Sequence, residues 1–378
     1  MGLYDERVKR LISELDKKGI EVTIIANPLN TFYFTGFPKP FFPDKDRATF
    51  LLLNVKKEKV IIFVPELELY EAEDEVRLKT IEHEVRGVKV KEDFIKALTS
   101  TLKEMGLRPY MRIGVEGAYV GFSFVERLEN NLGWKLAKLQ DVSDLINDMR
   151  AIKDEHEVRL IRRACDVAIK AINNAIEHVE DGIKESELAS IIVKSIVEEG
   201  ATLAFEPIVA SGSRAAYPHG AYSDKKVRRG EPIVMDVGAR VKGYCADVTR
   251  TVVIGKPNGD LLKAMESVRN AQERGIEALR GERTAEEVDQ EVRKVLEMEG
   301  YGMFFIHSTG HGVGIEVHEK PRIGVGSKDI IKRGMVVTIE PGIYIKGKYG
   351  IRIEDTVVVR EKAEVLSIEL EKIIMTKS

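Results

Sequence analysis

One pattern occurs twice in this chain, and each occurrence carries acids at matching places. The first copy starts at Gly230 (GEPIVMDVGARVKGYCADVTRTVV) and the second at Gly334 (GMVVTIEPGIYIKGKYGIRIEDTVVV). Subtracting positions gives 104 for Gly230 to Gly334, Asp236 to Glu340, Gly238 to Gly342 and Gly243 to Gly347. The offset becomes 107 for Asp247 to Glu354 and Thr249 to Thr356, so the second copy has the longer turn. In both, an apolar β-branched run is broken by an acid, followed by a glycine-containing turn and a second β-rich run with another acid. Folding back near Lys242 and Gly243 sets Asp236 beside Asp247, and folding about Gly347 sets Glu340 opposite Glu354.

A lone acid on a strand usually faces solvent. These acids instead follow Ile233, Val234 and Met235, or Val336, Val337, Thr338 and Ile339, runs that read as interior strands. Four carboxylates gathered in an apolar interior repel one another and take up protons unless cations neutralise them. The acids therefore predict a metal site. Between the two copies, the segment FIHSTGHGVGIEVHEKPRI supplies His307, His311 and His318. Gly310, Gly312 and Gly314 surround His311 and are expected to let backbone and cation approach closely, which makes His311 the candidate imidazole ligand. His219 lies in YPHG, among small and turn residues. His156 and His178, on predicted helices, read as ordinary hydrogen-bonded residues.

Asp236, Asp247, His311, Glu340 and Glu354, in that order and with these neighbours, resemble the five metal ligands of the pita-bread metallopeptidases. That family includes methionine aminopeptidase, Xaa-Pro aminopeptidase and prolidase. The resemblance runs from about Lys153 onward. The stretch NPLNTFYFTGF from Asn27 resembles the creatinase-type N-terminal domain of prolidases and Xaa-Pro aminopeptidases, which methionine aminopeptidases generally lack. The resemblance implies an α/β (α+β) chain of two domains: residues 1–150 a creatinase-like α/β domain, and 151–378 a pita-bread catalytic domain with an internal pseudo-twofold repeat.

It also implies two divalent metal ions per subunit, about 3.5 to 4 Å apart with a hydroxide between them that attacks the scissile carbonyl. One imidazole and four carboxylates form a hard, oxygen-rich set that favours Mn or Co, with Mg, Fe and Zn also compatible. By family matching, Asp236 and Asp247 chelate one ion, His311 joins the other, and Glu340 and Glu354 support the pair. His219 and His318 match histidines that donate to the substrate carbonyl or its tetrahedral intermediate. Glu340 takes the water proton and passes it to the leaving nitrogen. His307 matches a nearby position in Xaa-Pro aminopeptidases, where a substrate-pocket role and a purely structural one weigh equally. Arg352, two residues before Glu354, shares its strand face and can meet a metal carboxylate.

Substrate choice turns on HEKPR, which resembles the HExPR signature of prolidases. Arg322 can pair with the free carboxylate of a dipeptide with proline second, a contact that longer peptides do not offer in the same place; the competing reading is a surface ion pair. The expected function is Xaa-Pro dipeptidase, with Xaa-Pro aminopeptidase as the alternative. A binding protein that keeps this fold without its chemistry would have lost ligands, whereas this chain keeps all five and has no basic extension.

Composition limits the remaining classes. A net charge of −3 from 59 basic and 62 acidic residues gives no long-range field toward nucleic acid or membrane. Cys165 and Cys245 provide no disulfide framework, which suits a reducing, cytoplasmic setting. The beginning, MGLYDERVKRLISELDKKG, lacks the apolar core of a signal peptide, and no run is long enough to span a bilayer. Charged residues make up 32% of the chain and glutamine occurs only at 140, 272 and 290, a balance found in proteins from hot environments. A melting temperature below about 65 °C, ordinary for mesophile domains, would count against that origin.

In the first domain the pattern predicts a helix over Leu3 to Leu15 and strands at Glu21 to Ala26, Thr49 to Asn54 and Val60 to Val64. Helix, strand and helix follow at Phe94 to Met105, Arg112 to Val115 and Val125 to Leu132. Gly36 to Asp46 is a proline-broken loop with exposed aromatics; in related dimeric enzymes a loop of this domain covers the partner's active site, so the resemblance implies a homodimer. In the second domain, Glu155 to Val179 and Leu261 to Leu279 each open a helical pair that ends at Gly200 or Gly300. Each half is thus two helices and a hairpin, and two such halves are expected to meet sheet edge to sheet edge, helices outside and the site between.

Overall fold

Alternating apolar positions in the first part of the chain build a mixed sheet. The computed structural model describes residues 2–38, 49–89, 93–136, 139–280, 282–368 and 370–376, and the chain divides into two units, 1–147 and 148–378. The first unit runs α1 (Leu3–Lys17), β1 (Val22–Ile25), α2 (Pro28–Thr35), β2 (Phe50–Asn54), β3 (Lys59–Pro65), α3 (Leu69–Glu75), β4 (Glu82–Val88), α4 (Phe94–Glu104), β5 (Ile113–Val115), α5 (Phe122–Leu132) and β6 (Leu139–Asp141). Its strand order is β4-β3-β2-β1-β5-β6, antiparallel at β1/β2 and β2/β3 and parallel elsewhere. Val22, Ile24, Leu52, Ile61 and Phe63 pack against Leu98 and Leu102 of α4 and Leu128 and Leu132 of α5, because a period of two meets a period of 3.6 across one core.

The expected elements of this unit are present, with ends that coincide or differ by up to three residues. Helix α2 was not expected. Nearly all of it is buried, so it has no polar face to betray it, and its signals are local: Asn27 accepts the Leu29 N–H at 3.0 Å and Gly36 ends it at φ 80°. Of the expected loop Gly36 to Asp46, residues 39–46 lie outside the described residues. Asp5 is buried and accepts the N–H groups of Lys79, Thr80 and Ile81 at 3.0, 2.7 and 2.9 Å. Burial alone would raise its pKa, but these donors hold it at about 2.

Helix α6 (Ser143–Ala151) leads into the second unit. There α7 (Glu155–Ile176) opens with a capping box between Asp154 and Glu157, and α8 (Glu185–Glu198) follows. Next come β7 (Thr202–Leu203), β8 (Ile208–Ser211), β9 (Pro232–Val237), β10 (Ala239–Val241), β11 (Tyr244–Cys245) and β12 (Val248–Ile254). The second half repeats the scheme: α9 (Gly259–Ala278), α10 (Ala285–Met298), β13 (Gly310–Gly312), β14 (Glu319–Ile323), β15 (Val336–Ile339), β16 (Gly342–Ile345), β17 (Tyr349–Arg352), β18 (Asp355–Val358), β19 (Glu364–Val365) and β20 (Ile373–Thr376). Gly200 and Gly300, at φ 69° and 84°, follow the caps of α8 and α10. Helix α7 stops three residues short of the expected Val179, which leaves His178 beyond its end.

Strand parity decides what faces the helices. Ile233, Met235, Val237, Val248 and Val252 pack on α7 and α8, so Asp236 and Thr249 point to the other side. Val337, Ile339 and Val357 lie in a core with α10 residues, which turns Thr338 and Thr356 the other way. Ile351 and Ile353 pack with α9, leaving Arg352 and Glu354 on the opposite side. The halves meet where β12 adjoins β17 and β18: Glu354 N–H donates to Thr249 O at 3.1 Å, and Thr251 Oγ1 donates to Arg352 O at 2.8 Å. The site faces of both halves therefore share one wall.

Candidate metal centre and active site

The two hairpins deliver their acids in different ways. In the first, Asp236 pairs with Thr249, and Asp247 lies just outside the strand, two residues earlier, so the acids are diagonal neighbours. In the second, the ladder continues from Ile339 and Asp355 to Gly342 and Arg352, which leaves Glu340 and Glu354 opposite each other. A two-residue turn at Lys242 and Gly243 and a longer turn around Gly347 account for the difference.

His311 comes from β13. Its Nδ1–H donates to Gly312 O at 3.1 Å, which leaves the Nε2 lone pair facing Glu340 Oε1 at 3.4 Å and Asp247 Oδ2 at 3.7 Å. Burial and the neighbouring His318 push the His311 pKa down to about 4, so the ring is neutral near pH 7. Ligand atoms from Asp247, His311 and Glu354 all lie within 4.8 Å of one another. The glycines beside His311 let backbone approach closely, as expected. A Cβ on Gly310 would stand 2.0 Å from Thr338 O, and one on Gly312 would stand 2.1 Å from Lys320 O. The backbone they admit belongs to the neighbouring strands β15 and β14.

Electrostatically the cluster is overloaded. Like charges about 4 Å apart repel by roughly 4 kcal/mol at an effective dielectric of about 20, and four carboxylates here face a single buried guanidinium, Arg352. Burial and the charge of Glu354 raise Asp247 and Glu340 well above the usual carboxylate range. Glu354 itself, buried and beside Asp236, rises to about 8. Asp236 Oδ1, Asp247 Oδ1 and Glu354 Oε1 are buried with no hydrogen-bond partner, a cost of about 1–3 kcal/mol or more for each. Orphaned oxygens, mutual repulsion and a neutral imidazole are what a pair of hard divalent ions would resolve. The residues present fit the metals.

All ten residues singled out from the sequence line one cavity of about 520 Å³, together with Phe205, Ile208, Pro218 and Val317. His219 sits in the turn after the short 3-10 helix Gly212–Ala216. His318 packs its ring on His311, centroids 4.3 Å apart, and burial lowers its pKa. Arg352 reaches Asp236 Oδ2 at 2.5 Å, Tyr344 Oη at 2.9 Å and Pro218 O at 3.1 Å. It therefore ties a metal-type carboxylate to the turn that bears His219. His307 donates from Nδ1 to Ser308 O at 2.8 Å, so its Nε2 accepts the Tyr344 hydroxyl at 2.9 Å; burial and Arg352 push its pKa down to about 4. Arg322 is exposed at the cavity wall, and its guanidinium donates to Ser308 Oγ and Val325 O at 3.1 and 2.6 Å. Among the described residues no carboxylate forms an ion pair with it.

Sequence reasoning missed three supports. Thr249 donates to Glu354 Oε2 at 2.6 Å, and its recurrence as Thr356 was the available signal. Tyr344 joins Arg352 to His307 without any motif to mark it. Arg250 is buried behind the site, where it donates to Glu354 O at 2.5 Å and pairs with Asp355 at 2.6 Å. Cys245 is buried against Ile315 O, which raises its thiol pKa to about 12 and leaves it inert.

Comparison with known proteins agrees with this architecture. Residues 7–152 match the creatinase/prolidase N-terminal domain and residues 159–361 match metallopeptidase family M24. The chain is 38% identical over 362 residues to a Pyrococcus furiosus protein described as Xaa-Pro dipeptidase, covering 94% of this chain and 95% of that one. Among solved structures, a prolidase from Thermococcus sibiricus superposes with a TM-score of 0.89 at 34% identity, covering all of both chains. An X-Pro aminopeptidase from Thermotoga maritima gives 0.85 at 34% identity, covering 98% of this chain and all of that one. Among the described residues no helix is long and apolar enough to cross a membrane. The N-terminal mixed α/β unit, the duplicated catalytic half and the matches along both identify the chain as a member of metallopeptidase family M24, with a creatinase/prolidase N-terminal domain.

Proposed function

We propose that this protein hydrolyses dipeptides with proline in second position, using two divalent ions held by Asp236, Asp247, His311, Glu340 and Glu354. The observation that carries this reading is the convergence of those five side chains, with buried oxygens left unpartnered, on a cavity whose wall also bears Arg322. The similarity to proteins described as Xaa-Pro dipeptidases supports the substrate class. When bound, the metals supply an activated water and polarise the scissile carbonyl.

The chain's own groups do the rest. Glu340 accepts the proton of the attacking water and returns it to the proline nitrogen as the C–N bond breaks, which releases a free amino acid and proline. His219 and His318 donate to the carbonyl oxygen as charge grows on it. Arg352 holds Asp236 in place, and Tyr344 orients His307. Arg322 meets the dipeptide carboxylate. Phe205, Ile208, Pro218 and Val317 give the cavity an apolar lining.

One observation favours the second reading, Xaa-Pro aminopeptidase: the guanidinium of Arg322 is already engaged by Ser308 and Val325. Product release from Ala-Pro, Ala-Pro-Ala and Met-Ala-Ala, with metal-stripped protein resupplied with Mn, Co or Zn, separates the two. Cleavage of Ala-Pro alone is expected, and cleavage of Ala-Pro-Ala would shift the assignment to aminopeptidase. Arg322→Ala is expected to raise KM for Ala-Pro about tenfold, the loss of roughly 1.4 kcal/mol of charge-assisted binding. The expected homodimer, which rests on family resemblance, is tested by sedimentation of the full chain.

A further inference from the structure

His318 stands at the end of the loop that joins β13 to β14, and among the described residues no hydrogen bond holds its ring. Its place is set by the backbone that carries it and by the His311 ring it packs on. That loop is built around a buried charge. The Glu319 side chain, 5% exposed, turns back into the loop, where Oε1 accepts the Glu316 N–H at 3.0 Å. Oε2 takes the Lys153 ammonium at 3.0 Å, and Arg150 Nη2 bonds both Glu319 Oε1 and, at 2.6 Å, Glu316 Oε2. The side chains of Arg150 and Lys153 are 3% and 1% exposed. Room for the carboxylate comes from Gly314, where a Cβ would stand 2.6 Å from Glu319 Oε2. Burial would raise the Glu319 pKa, but Arg150 and Lys153 hold it at about 2. The loop is tied on its outer side as well: Cys245 N–H donates to Gly314 O and Arg240 to Ile315 O, both at 2.7 Å.

A buried ion cluster is a poor way to gain stability, since well-packed apolar residues often serve as well or better. It does fix direction, because each partner demands one geometry. We infer that Glu319, clamped by Arg150 and Lys153, is a positioning residue for hydrolysis: it sets the β13–β14 loop so that His318 meets the substrate carbonyl. This rests on the reading of His318 as a substrate-facing donor. Glu319 borders the cavity, but its carboxylate is turned back into the loop and held by Arg150 and Lys153, so the clamp acts through that ring.

The test measures Ala-Pro turnover by the full-length, Mn-loaded chain in wild type, E319Q, H318A and the double variant, with Lys153→Met as a milder break should E319Q fail to fold. Small misplacements of catalytic groups cost up to about 100-fold, so E319Q is expected to lower kcat about 10- to 100-fold with KM within about threefold, and K153M about 3- to 10-fold. In the H318A background, either substitution should cost less than about threefold further. A purely structural role predicts the full loss again on top of H318A, and that result, or a wild-type kcat in E319Q, would overturn the inference. The ring signals of His318 in 1H–15N spectra provide a second readout: they should shift in E319Q, and unchanged signals would also overturn it. If H318A turns over like wild type, the assignment of His318 fails, and the ring spectrum still decides whether the clamp exists.

Discussion

The protein buries acids in two ways. Asp5 and Glu319 are each surrounded by groups the chain itself supplies, three backbone N–H groups in one case and Arg150 with Lys153 in the other, and both ionise at about 2. Among the described residues, the quartet of Asp236, Asp247, Glu340 and Glu354 has one guanidinium, Arg352, at its carboxylates and keeps three orphaned oxygens, and Asp247, Glu340 and Glu354 are pushed toward protonation. The same residue types, all largely buried, thus end in opposite electrostatic states. Where a carboxylate is structural, the fold provides its counter-charge; where that charge is withheld, it must come from outside, and divalent ions are the fitting source.

One substitution, Glu to Gln, applied at each pole sharpens this contrast. At the metal pole, Glu340→Gln keeps shape but removes the proposed proton acceptor. Turnover of Ala-Pro should fall roughly 10²- to 10⁴-fold, about 3–5 kcal/mol of barrier, while the metal-free melting temperature stays level or rises. Full activity in this variant would break the mechanism. At the structural pole, Glu319→Gln takes the counter-charge from buried Lys153 and leaves Arg150 with Glu316 alone of its two carboxylates. It should cost about 3 kcal/mol, seen as a fall of roughly 6–12 °C in Tm with or without metal.

The stability of Asp247→Asn is a subtler test. In metal-free protein it should melt at or slightly above wild type, because one repelling charge is gone, whereas added Mn should stabilise it less than wild type. A clear destabilisation of the metal-free variant would mean that the quartet is already compensated. The smallest expected effect is on pH dependence, where the poles have opposite signs. Glu319 has a depressed folded pKa, so its contribution is present above the ordinary carboxyl value and is lost as pH falls toward about 2. Glu354 is raised to about 8, so the metal-free fold loses stability as pH climbs from the ordinary carboxyl range toward 8. Melting curves over pH 4–9 should therefore show the metal-loaded and metal-free proteins diverging as pH rises.

The repeat made the quartet legible before any coordinates, because a ladder of period two carries matching acids to matching faces. His311 was legible from its neighbours, and Gly310 and Gly312 admit the backbone of the adjoining strands, as their spacing suggested. What sequence concealed lies in pairings with no local signature. Arg150 and Lys153 reach Glu319 across 169 and 166 residues, and nothing in the stretch before α7 announces that contact. Tyr344 and Arg250 were hidden for the same reason, each being one member of a network closed only by folding. Helix α2 escaped because burial on all sides erases the amphipathic period on which helix recognition depends.

The most direct test of the central claim is a titration of Mn²⁺ into metal-free protein near pH 7, in two buffers of different ionisation enthalpy, with Ala-Pro hydrolysis followed on the same samples. The account predicts two ions bound per chain, protons released as the raised carboxylates are neutralised, and activity that appears with the metal. Saturation without proton release, or Mn²⁺ binding that Asp247→Asn leaves unchanged, would contradict it.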